Sequence, residues 1–493
     1  MGKKIFLVSL LLLFVTIPAF GIDWQTNPVF LRGVKDNSIY SSYRASFGSG
    51  YLHNKSHSLG VTPYVSFLDA EKDIYNHSFY LGYVRLLSPD RNFGVFFSNS
   101  LGFIWTDGIY TQNNLDVFGT FYDDDYKSKS INNVQMLDFV YTKKQSDKVA
   151  LGGALNFYYS HYKNDTSYNT INTNVASGPR NNDYTDTMDK FYFGATFGLA
   201  WIPVRNLELD FALEAGGFFG TRGYEEHLLG NSSAGETYDY DRKGDYNGLG
   251  IRFEIDGSYR ISEYFKMPFS ISYVYSVEWD DYNGFGDYFD GATDVYYKDY
   301  ENRLISNSVK LGAGLNYYPT GKPSDLGIYL WSYYNYYNGR TDTDSFTDET
   351  SAGFSFAQSL IDTEYNNHTL GLSIGVNFPL TERLRMSAGL NYFYTFINMN
   401  NKNITYRDAL PFSSYDYSGC GYSQHLGAKL GLSYTAIDDR LKINFISTLP
   451  IYSRSNYDIA GNIISPSVLQ SGPITSSARR MDYSLILNIS YSF

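Results

Sequence analysis

The sequence predicts an all-β protein, a transmembrane antiparallel up-and-down β-barrel, and three observations lead to this fold class. Apolar and polar residues alternate with a period of two along much of the chain. Very short and very long connections between these segments follow each other alternately along the chain. The mean hydropathy is −0.31, although 18% of the residues are aromatic. A barrel explains all three, because only alternate side chains face lipid and aromatic residues gather at the two membrane interfaces.

The first 21 residues have the pattern of a signal peptide. Lys3 and Lys4 precede the short apolar stretch 5–15, and Ala19-Phe20-Gly21 fits a cleavage site flanked by small residues. After this segment the chain has no run of 18 or more apolar residues, which argues against a helical membrane protein. We therefore expect residues 1–21 to be removed and the rest of the chain to be exported.

The last segment of the chain shows the alternation most clearly. Six apolar residues occupy every second position from Tyr483 to Phe493, and most residues between them are small or polar. Successive side chains of a strand point to opposite faces, so this segment presents one apolar face and one mostly polar face. The same pattern recurs at 191–201, 207–213, 249–255, 309–317, 370–378, 384–394 and 426–434.

The lengths of these segments and of their connections favour a membrane barrel over a soluble sandwich, which also alternates. Soluble strands average about five or six residues, whereas membrane strands need roughly nine to eleven. Short periplasmic turns are predicted near residues 89, 146, 205, 263, 382 and 438. Long extracellular loops are predicted at about 106–130, 162–187, 220–245, 280–301, 342–365, 398–422 and 453–480.

Counting these segments predicts about sixteen strands with both chain ends in the periplasm, and fourteen or eighteen are the alternatives. The count begins with a strand at 58–68, which seven hairpins and the final strand follow. Residues 22–50 then form either an N-terminal plug or an extra strand. Residues 51–493 form the transmembrane barrel.

The C-terminus resembles the assembly signal of bacterial outer-membrane proteins. That family ends in a terminal Phe with an aromatic or apolar residue two positions earlier, and here these are Phe493 and Tyr491. Asn488 stands where a glycine is usual. The resemblance implies localisation in the bacterial outer membrane. It also implies the barrel-assembly machinery, outer-membrane lipid and lipopolysaccharide as partners.

The face opposite the lipid lines the lumen, and its charged residues separate by sign along the chain. Acidic residues gather near the seventh and eighth strands and basic residues near the thirteenth to fifteenth. The candidate pore-lining residues are Glu208, Asp210, Glu214, Arg252, Glu254, Asp256, Arg260, Lys310, Arg383, Arg385, Lys429 and Lys442. Opposed charges are typical of a pore with a transverse field that selects polar solutes. Interior charges that pair with each other are an equal alternative.

Glycines also recur on the predicted inner face. They lie at positions 312, 314, 371, 375, 427 and 431. Such glycines either make room for a plug or an inward-folded loop, or permit the strands to curve. We favour curvature.

These features predict a porin-like channel for the passive diffusion of small polar solutes, with a homo-oligomer as one option for its assembly. The alternatives are a plugged transporter of hydrophobic substrates and a surface antigen or adhesin that acts through its extracellular loops. The net charge of −12 argues against nucleic-acid binding. The chain has no recognisable catalytic motif, phosphate loop or metal-ligand spacing. We therefore expect no enzyme activity, cofactor or bound metal.

Residues 22–105 resemble the start of the long-chain fatty-acid transporters. That family has an N-terminal plug with an Asn-Pro-Ala motif, then a strand, then hairpins with a Gly-containing strand after a short Asp turn. Here Asn27-Pro28 is followed by Val29 instead of Ala, and Asp90-Arg91-Asn92-Phe93-Gly94 fits the later part. The resemblance implies a lumen plugged by residues 22–50 and a hydrophobic cargo. The charged inner wall argues against such a cargo.

Overall fold

Sixteen antiparallel strands close into one barrel in the computed structural model of the protein. The structure describes residues 27–59, 64–114, 121–173, 180–230, 237–289, 293–349, 357–407, 410–436, 440–464 and 470–493. A 3₁₀ helix, Pro28–Gly33, precedes the strands. The strands are β1 (Ser38–Leu59), β2 (Tyr64–Ser88), β3 (Arg91–Asn114), β4 (Phe121–Ser146), β5 (Val149–Thr173), β6 (Arg180–Val204), β7 (Leu207–Gly230), β8 (Thr237–Arg260), β9 (Phe265–Phe289), β10 (Thr293–Tyr317), β11 (Gly327–Glu349), β12 (Ala357–Pro379), β13 (Leu384–Arg407), β14 (Leu410–Ala436), β15 (Leu441–Ile464) and β16 (Gln470–Ser492).

This architecture confirms the predicted fold class and the predicted number of strands. Each strand pairs with its neighbours in sequence, and β1 pairs with β16 to close the barrel. The predicted separate strand at 58–68 is wrong, because β1 ends at Leu59 and β2 begins at Tyr64. These two ends pair with each other, so their apolar pattern looks continuous in the sequence. Residues 38–50 belong to β1, and the predicted signal peptide lies outside the described residues.

The strands are much longer than a membrane requires, and this corrects the predicted loops. They contain 22 to 27 residues. At about 3.3 Å per residue and a tilt of about 40°, this length corresponds to roughly 55–70 Å along the barrel axis. The apolar band of such barrels is only about 25 Å tall. Residues 106–114 and 121–130, predicted as loop, continue β3 and β4 in register, because Tyr and Thr suit paired strands.

The membrane-spanning part of the barrel lies next to the short turns, at the periplasmic end. Its outer face carries exposed apolar side chains such as Leu81 of β2 and Leu372 of β12. Aromatic side chains mark both edges of this band, with Trp201, Tyr434 and Tyr491 at the periplasmic edge and Trp105, Phe191 and Trp279 at the other. No helix among the described residues is long and apolar enough to cross a membrane.

Beyond the second aromatic edge, the strands continue as what we call the extracellular extension, which includes 50–59 of β1, 64–72 of β2, 106–114 of β3 and 470–480 of β16. The extension has a core of its own. Leu68, Ala70 and Tyr126 are buried together, and Tyr168 packs against them. Its ring centroid lies 5.0 Å from that of Tyr126. The extension is therefore a packed continuation of the barrel wall.

Candidate functional site: a plugged lumen

The segment that precedes β1 enters the lumen near the periplasmic end. The side-chain Oδ1 of Asn27 accepts a hydrogen bond from the backbone N–H of Val29 at 3.2 Å, and Pro28 holds the first helical position, where its fixed φ suits a helix start. Val29 and Leu31 are 1% and 0% exposed. The short motif Asn27-Pro28 therefore begins a buried turn. We call residues 27–34 the plug.

Apolar contacts fix the plug against the inner faces of β2 to β6. Leu31 packs in one cluster, and Val29 packs in a second with Ala150 and Ala200. The cluster around Leu31 contains Val84, Phe96, Val140 and Ala154. A leucine or valine side chain that is fully buried contributes about 1.5–3 kcal/mol relative to an exposed one. The plug is thus a packed part of the wall on this side of the lumen.

Polar contacts hold the backbone of the plug. Asn92 of β3 donates hydrogen bonds to the carbonyl oxygens of Leu31, at 2.7 Å, and Val34, at 3.3 Å. Thr142 of β4 donates from Oγ1 to the carbonyl oxygen of Pro28. These hydrogen bonds satisfy carbonyl groups that are buried away from water. A buried carbonyl group without a hydrogen bond would cost about 1–3 kcal/mol.

One ion pair joins the plug to the acidic wall. Arg32 Nη2 lies 3.0 Å from Asp210 Oδ2 on β7, and both side chains are about one-third exposed. Arg32 also donates from Nη1 to the carbonyl oxygen of Val29 at 3.3 Å. Asp210 was predicted to line an open pore, and in the structure it binds the plug instead.

Two glycines provide the space that the plug occupies. A Cβ atom at Gly152 of β5 would lie 2.6 Å from Pro28 Cβ, and one at Gly198 of β6 would lie 2.9 Å from Pro28 Cγ. Real Cβ atoms essentially never come this close to their neighbours, so any side chain at these positions would displace the plug. Neither glycine was singled out in the sequence.

The predicted inner-face glycines have a different role. Gly314 of β10 lies beneath the Trp331 side chain of β11, where a Cβ would lie 2.7 Å from Cε3. Gly371 of β12 lies against the Tyr333 ring in the same manner. These glycines let lumen aromatic rings lie flat on the wall. At these two positions the missing side chain makes room for an aromatic side chain of the neighbouring strand. Neither of the two earlier interpretations, space for a plug or strand curvature, included this role.

The predicted acidic residues lie together on β7 and β8, where Glu214 and Glu254 are buried. Glu214 is 2% exposed. It accepts hydrogen bonds from the Tyr192 hydroxyl at 2.7 Å and from Asn156 Nδ2 at 3.3 Å. Arg252 Nη2 lies 3.5 Å from Glu254 Oε2. Asp256 faces Asp210 in the register of the two strands. The pairs Arg252–Glu254 and Arg32–Asp210 fit the alternative of interior charges that pair with each other.

The other predicted residues divide between the lumen and the periplasmic rim. Glu208 lies 3.9 Å from Lys266 at the rim, and Arg260 is the last residue of β8. Arg383 lies in the turn before β13, and Arg385 Nη2 donates to the carbonyl oxygens of Pro323 and Asp325. The exposed inner-wall lysines are Lys310, Lys429 and Lys442.

Above the plug, the lumen carries aromatic side chains and a buried cation that the sequence did not reveal. Lys190 of β6 is 1% exposed, and its Nζ lies 3.5 Å from Glu278 of β9. The same Nζ donates to the Tyr246 hydroxyl at 2.6 Å and lies 4.3 Å from the centre of the Phe218 ring. Such contacts compensate the cost of burying an ammonium group.

Further out, a second buried ion cluster is present. Arg222 of β7 lies between Asp186 of β6, at 3.0 Å, and Asp280 of β9, at 3.1 Å. Stacked tyrosines flank it, since the ring centroids of Tyr184 and Tyr224 lie 5.9 Å apart. This part of the wall, on β6 to β9, is therefore lined by aromatic rings and ion pairs. No cluster of potential metal ligands occurs in the described part of the chain.

Comparisons with known proteins give weak likenesses. No protein-family model and no curated protein matches the chain. Among solved structures, it is similar to the toluene transporter TodX of P. putida, with 13% sequence identity over 95% of this chain and 93% of that chain and a TM-score of 0.40. A FadL homologue of Pseudomonas aeruginosa shows 10% identity over 95% and 93% of the chains and a TM-score of 0.42.

Proposed function

We propose that the protein is a plugged outer-membrane transporter of hydrophobic substrates. The observation that carries this proposal is the plug, whose Val29 and Leu31 side chains are buried against the inner wall. A passive porin has an unobstructed water-filled lumen, whereas here a buried turn occupies space inside the periplasmic end against β2 to β6. The predicted polar-solute channel therefore yields to the alternative of a plugged transporter.

The lining of the lumen supports an apolar cargo. Sites for apolar ligands are walled mainly by hydrophobic and aromatic groups, with few polar groups exposed to the ligand. On β6 to β9 the charges of Lys190 and Arg222 are already compensated by carboxylates, and aromatic rings such as Phe218 and Tyr246 stand beside them. A substrate with an apolar body can therefore contact these rings while Lys190 and Arg222 keep their carboxylate partners.

The two ends of the chain support export and assembly in the outer membrane. The predicted signal peptide and the Tyr491 and Phe493 assembly signal both belong to this proposal. In the barrel, the backbone N–H of Phe493 donates to the carbonyl oxygen of Asn37 at 2.9 Å, so the terminal residue joins the two ends of the chain. We propose the barrel-assembly machinery, lipid and lipopolysaccharide as partners.

A pair of adjacent glycines gives the experiment that tests the plug. Gly152→Ala places a methyl group 2.6 Å from Pro28 Cβ, whereas a Cβ at Gly153, which faces outward, has no neighbour closer than 3.9 Å. We expect the wild type and Gly153→Ala to conduct ions poorly in planar bilayers. We expect Gly152→Ala to conduct several times more, because its plug is displaced.

Uptake by vesicles completes this experiment. A monoaromatic hydrocarbon, a long-chain fatty acid and a neutral sugar are offered to the wild-type protein. Faster uptake of the two apolar compounds, with no uptake of the sugar, supports the proposal. Steady large conductance and sugar uptake by the wild type would restore the porin prediction.

A further inference from the structure

Three polar side chains lie side by side on the outer face of the extracellular extension. His53 of β1 stands directly opposite Ser477 of β16 on one side and Asp69 of β2 on the other. Odd-numbered residues of β1 point outward, as the exposed Tyr43 and Tyr51 show. The His53 and Asp69 side chains are 42% and 46% exposed, and Ser477 is exposed. A molecule outside the barrel can therefore reach all three.

Asp69 holds the imidazole of His53 in one orientation. His53 Nδ1 donates a hydrogen bond to Asp69 Oδ1, and the Tyr51 hydroxyl donates to the same oxygen at 2.8 Å. The bond from His53 keeps the pKa of Asp69, which lies outside the membrane-spanning part, below its ordinary value. With Nδ1 as the donor, Nε2 of the neutral ring is the basic nitrogen. The two ring nitrogens point in nearly opposite directions, so Nε2 points away from Asp69. Ser477 is the neighbour of His53 on its other side by strand register, and no hydrogen bond joins the two side chains in the structure.

A second arrangement on the outer wall repeats this geometry without the serine. The Tyr159 hydroxyl donates to Asp189 Oδ1 at 2.7 Å, and His161 Nδ1 lies 2.9 Å from the same oxygen. The residue opposite His161 on its other side is Asn133 of β4. The Tyr-His-Asp geometry thus occurs at both places. Of the two histidines, His53 has a serine as its other neighbour, whereas His161 has an asparagine. The chain therefore contains its own comparison.

We propose that Ser477, His53 and Asp69 form a hydrolytic site for carboxylic esters on the outer wall of the barrel. In hydrolytic triads, a histidine takes the proton of a serine while a carboxylate fixes its tautomer, and this order of residues is present here. Ser477 and His53 are the catalytic residues, and Asp69 and Tyr51 are positioning residues. The proposal departs from the expectation of no enzyme activity, which rested on motifs within single segments.

The reaction proceeds in two steps. Ser477 Oγ forms a bond to the carbonyl carbon of the ester as its proton passes to His53 Nε2. That proton then moves to the alkoxide oxygen as the ester C–O bond breaks and the alcohol leaves. In the second step, water loses a proton to Nε2 and attacks the acyl-serine, which releases the carboxylic acid and restores the serine hydroxyl.

Arg479 provides positive charge beside the nucleophile. It lies two residues from Ser477 on the same outer face of β16, opposite Tyr51 in the register with β1, and it is exposed. Backbone N–H groups in the sheet are used for strand pairing, so they do not face an oxyanion on the outer wall. A guanidinium group at this position suits the negative charge that develops on the ester oxygen.

The test measures labelling and ester hydrolysis by the refolded full-length protein. The probes are a fluorophosphonate, p-nitrophenyl butyrate in solution and p-nitrophenyl laurate in micelles. We expect wild-type labelling at Ser477, and Ser477→Ala to lose the label and at least about 100-fold of the hydrolysis rate. Asp69→Asn should lower kcat with little change in KM and shift the pH profile, because Nδ1 loses its charged partner.

His161→Gln is the matched control, and it should retain both labelling and hydrolysis, whereas His53→Gln should lose hydrolysis. The folded state of every variant is checked by its heat-dependent migration on gels. Preference for laurate would identify lipid esters as the source of substrate, and preference for butyrate would identify soluble esters. A folded wild type that neither takes the label nor hydrolyses either ester would overturn the proposal, as would full activity in Ser477→Ala.

Discussion

Buried polar side chains of the inner wall depend on partners that come from other strands. Glu214 of β7 is bound by Tyr192 of β6 and Asn156 of β5, and Lys190 of β6 reaches Glu278 of β9. The period of two predicts that Glu214 points inward, but its burial depends on the register and curvature of several strands. For the same reason, Lys190 was not recognised as part of the lumen.

Removing the Tyr192 hydroxyl tests this account of the wall. Tyr192→Phe keeps the ring but deletes the donor that lies 2.7 Å from the Glu214 carboxylate. We expect the free energy of unfolding to fall by about 1–3 kcal/mol, because a buried carboxylate loses a hydrogen bond. The measurement is denaturant unfolding in detergent micelles, with Tyr434→Phe on the exposed outer wall as the control. An equal, small effect of both substitutions would contradict the account.

At the scale of the strands, the sequence predicts the alternation of apolar and polar residues and the number of strands well. It predicts the outer ends of the strands poorly. The periplasmic ends are marked by short polar turns, and five of the six predicted turns lie between the strands that they were expected to join. The connection 318–326 between β10 and β11 was not among the predicted turns, and the turn near residue 438 lies outside the described residues. The outer ends continue into segments such as 106–114 of β3, whose polar residues resemble loop composition while their backbone remains paired. Composition does not separate an exposed strand from a loop, and the buried Tyr126 that stabilises the extension is one tyrosine among 49.

Tyr126 therefore provides a test of the extracellular extension. It is 2% exposed and packs with Leu68 and Ala70, whereas the adjacent Lys127 points outward and is exposed. We expect Tyr126→Ala to create a cavity that opens the extension locally. Chymotrypsin should then cleave in β3 to β5 while the membrane-spanning part stays resistant. Lys127→Ala should leave the cleavage pattern unchanged, and a wild-type pattern in Tyr126→Ala would show that the extension does not depend on this core.

At the scale of the whole molecule, the barrel combines a long wall with a short plug. The main indication of the plug in the sequence was the pair Asn27-Pro28, because it resembles the start of the long-chain fatty-acid transporters. The charges of the inner wall argued against it, because their pairing was not visible. Likewise, the Ser477, His53 and Asp69 site joins strands from the two ends of the chain, which become neighbours only when the barrel closes.

A reversible cross-link between plug and wall tests the central proposal, that the protein is a plugged transporter, because passage of a substrate would then require the plug to move. Val29 packs against Ala200, so Val29→Cys and Ala200→Cys in a Cys420→Ser background place two short thiol side chains in contact. We predict that oxidation, verified on gels, blocks uptake of a hydrophobic substrate and that reduction restores it, while each single cysteine variant stays active. Undiminished uptake by the fully cross-linked protein would contradict the claim.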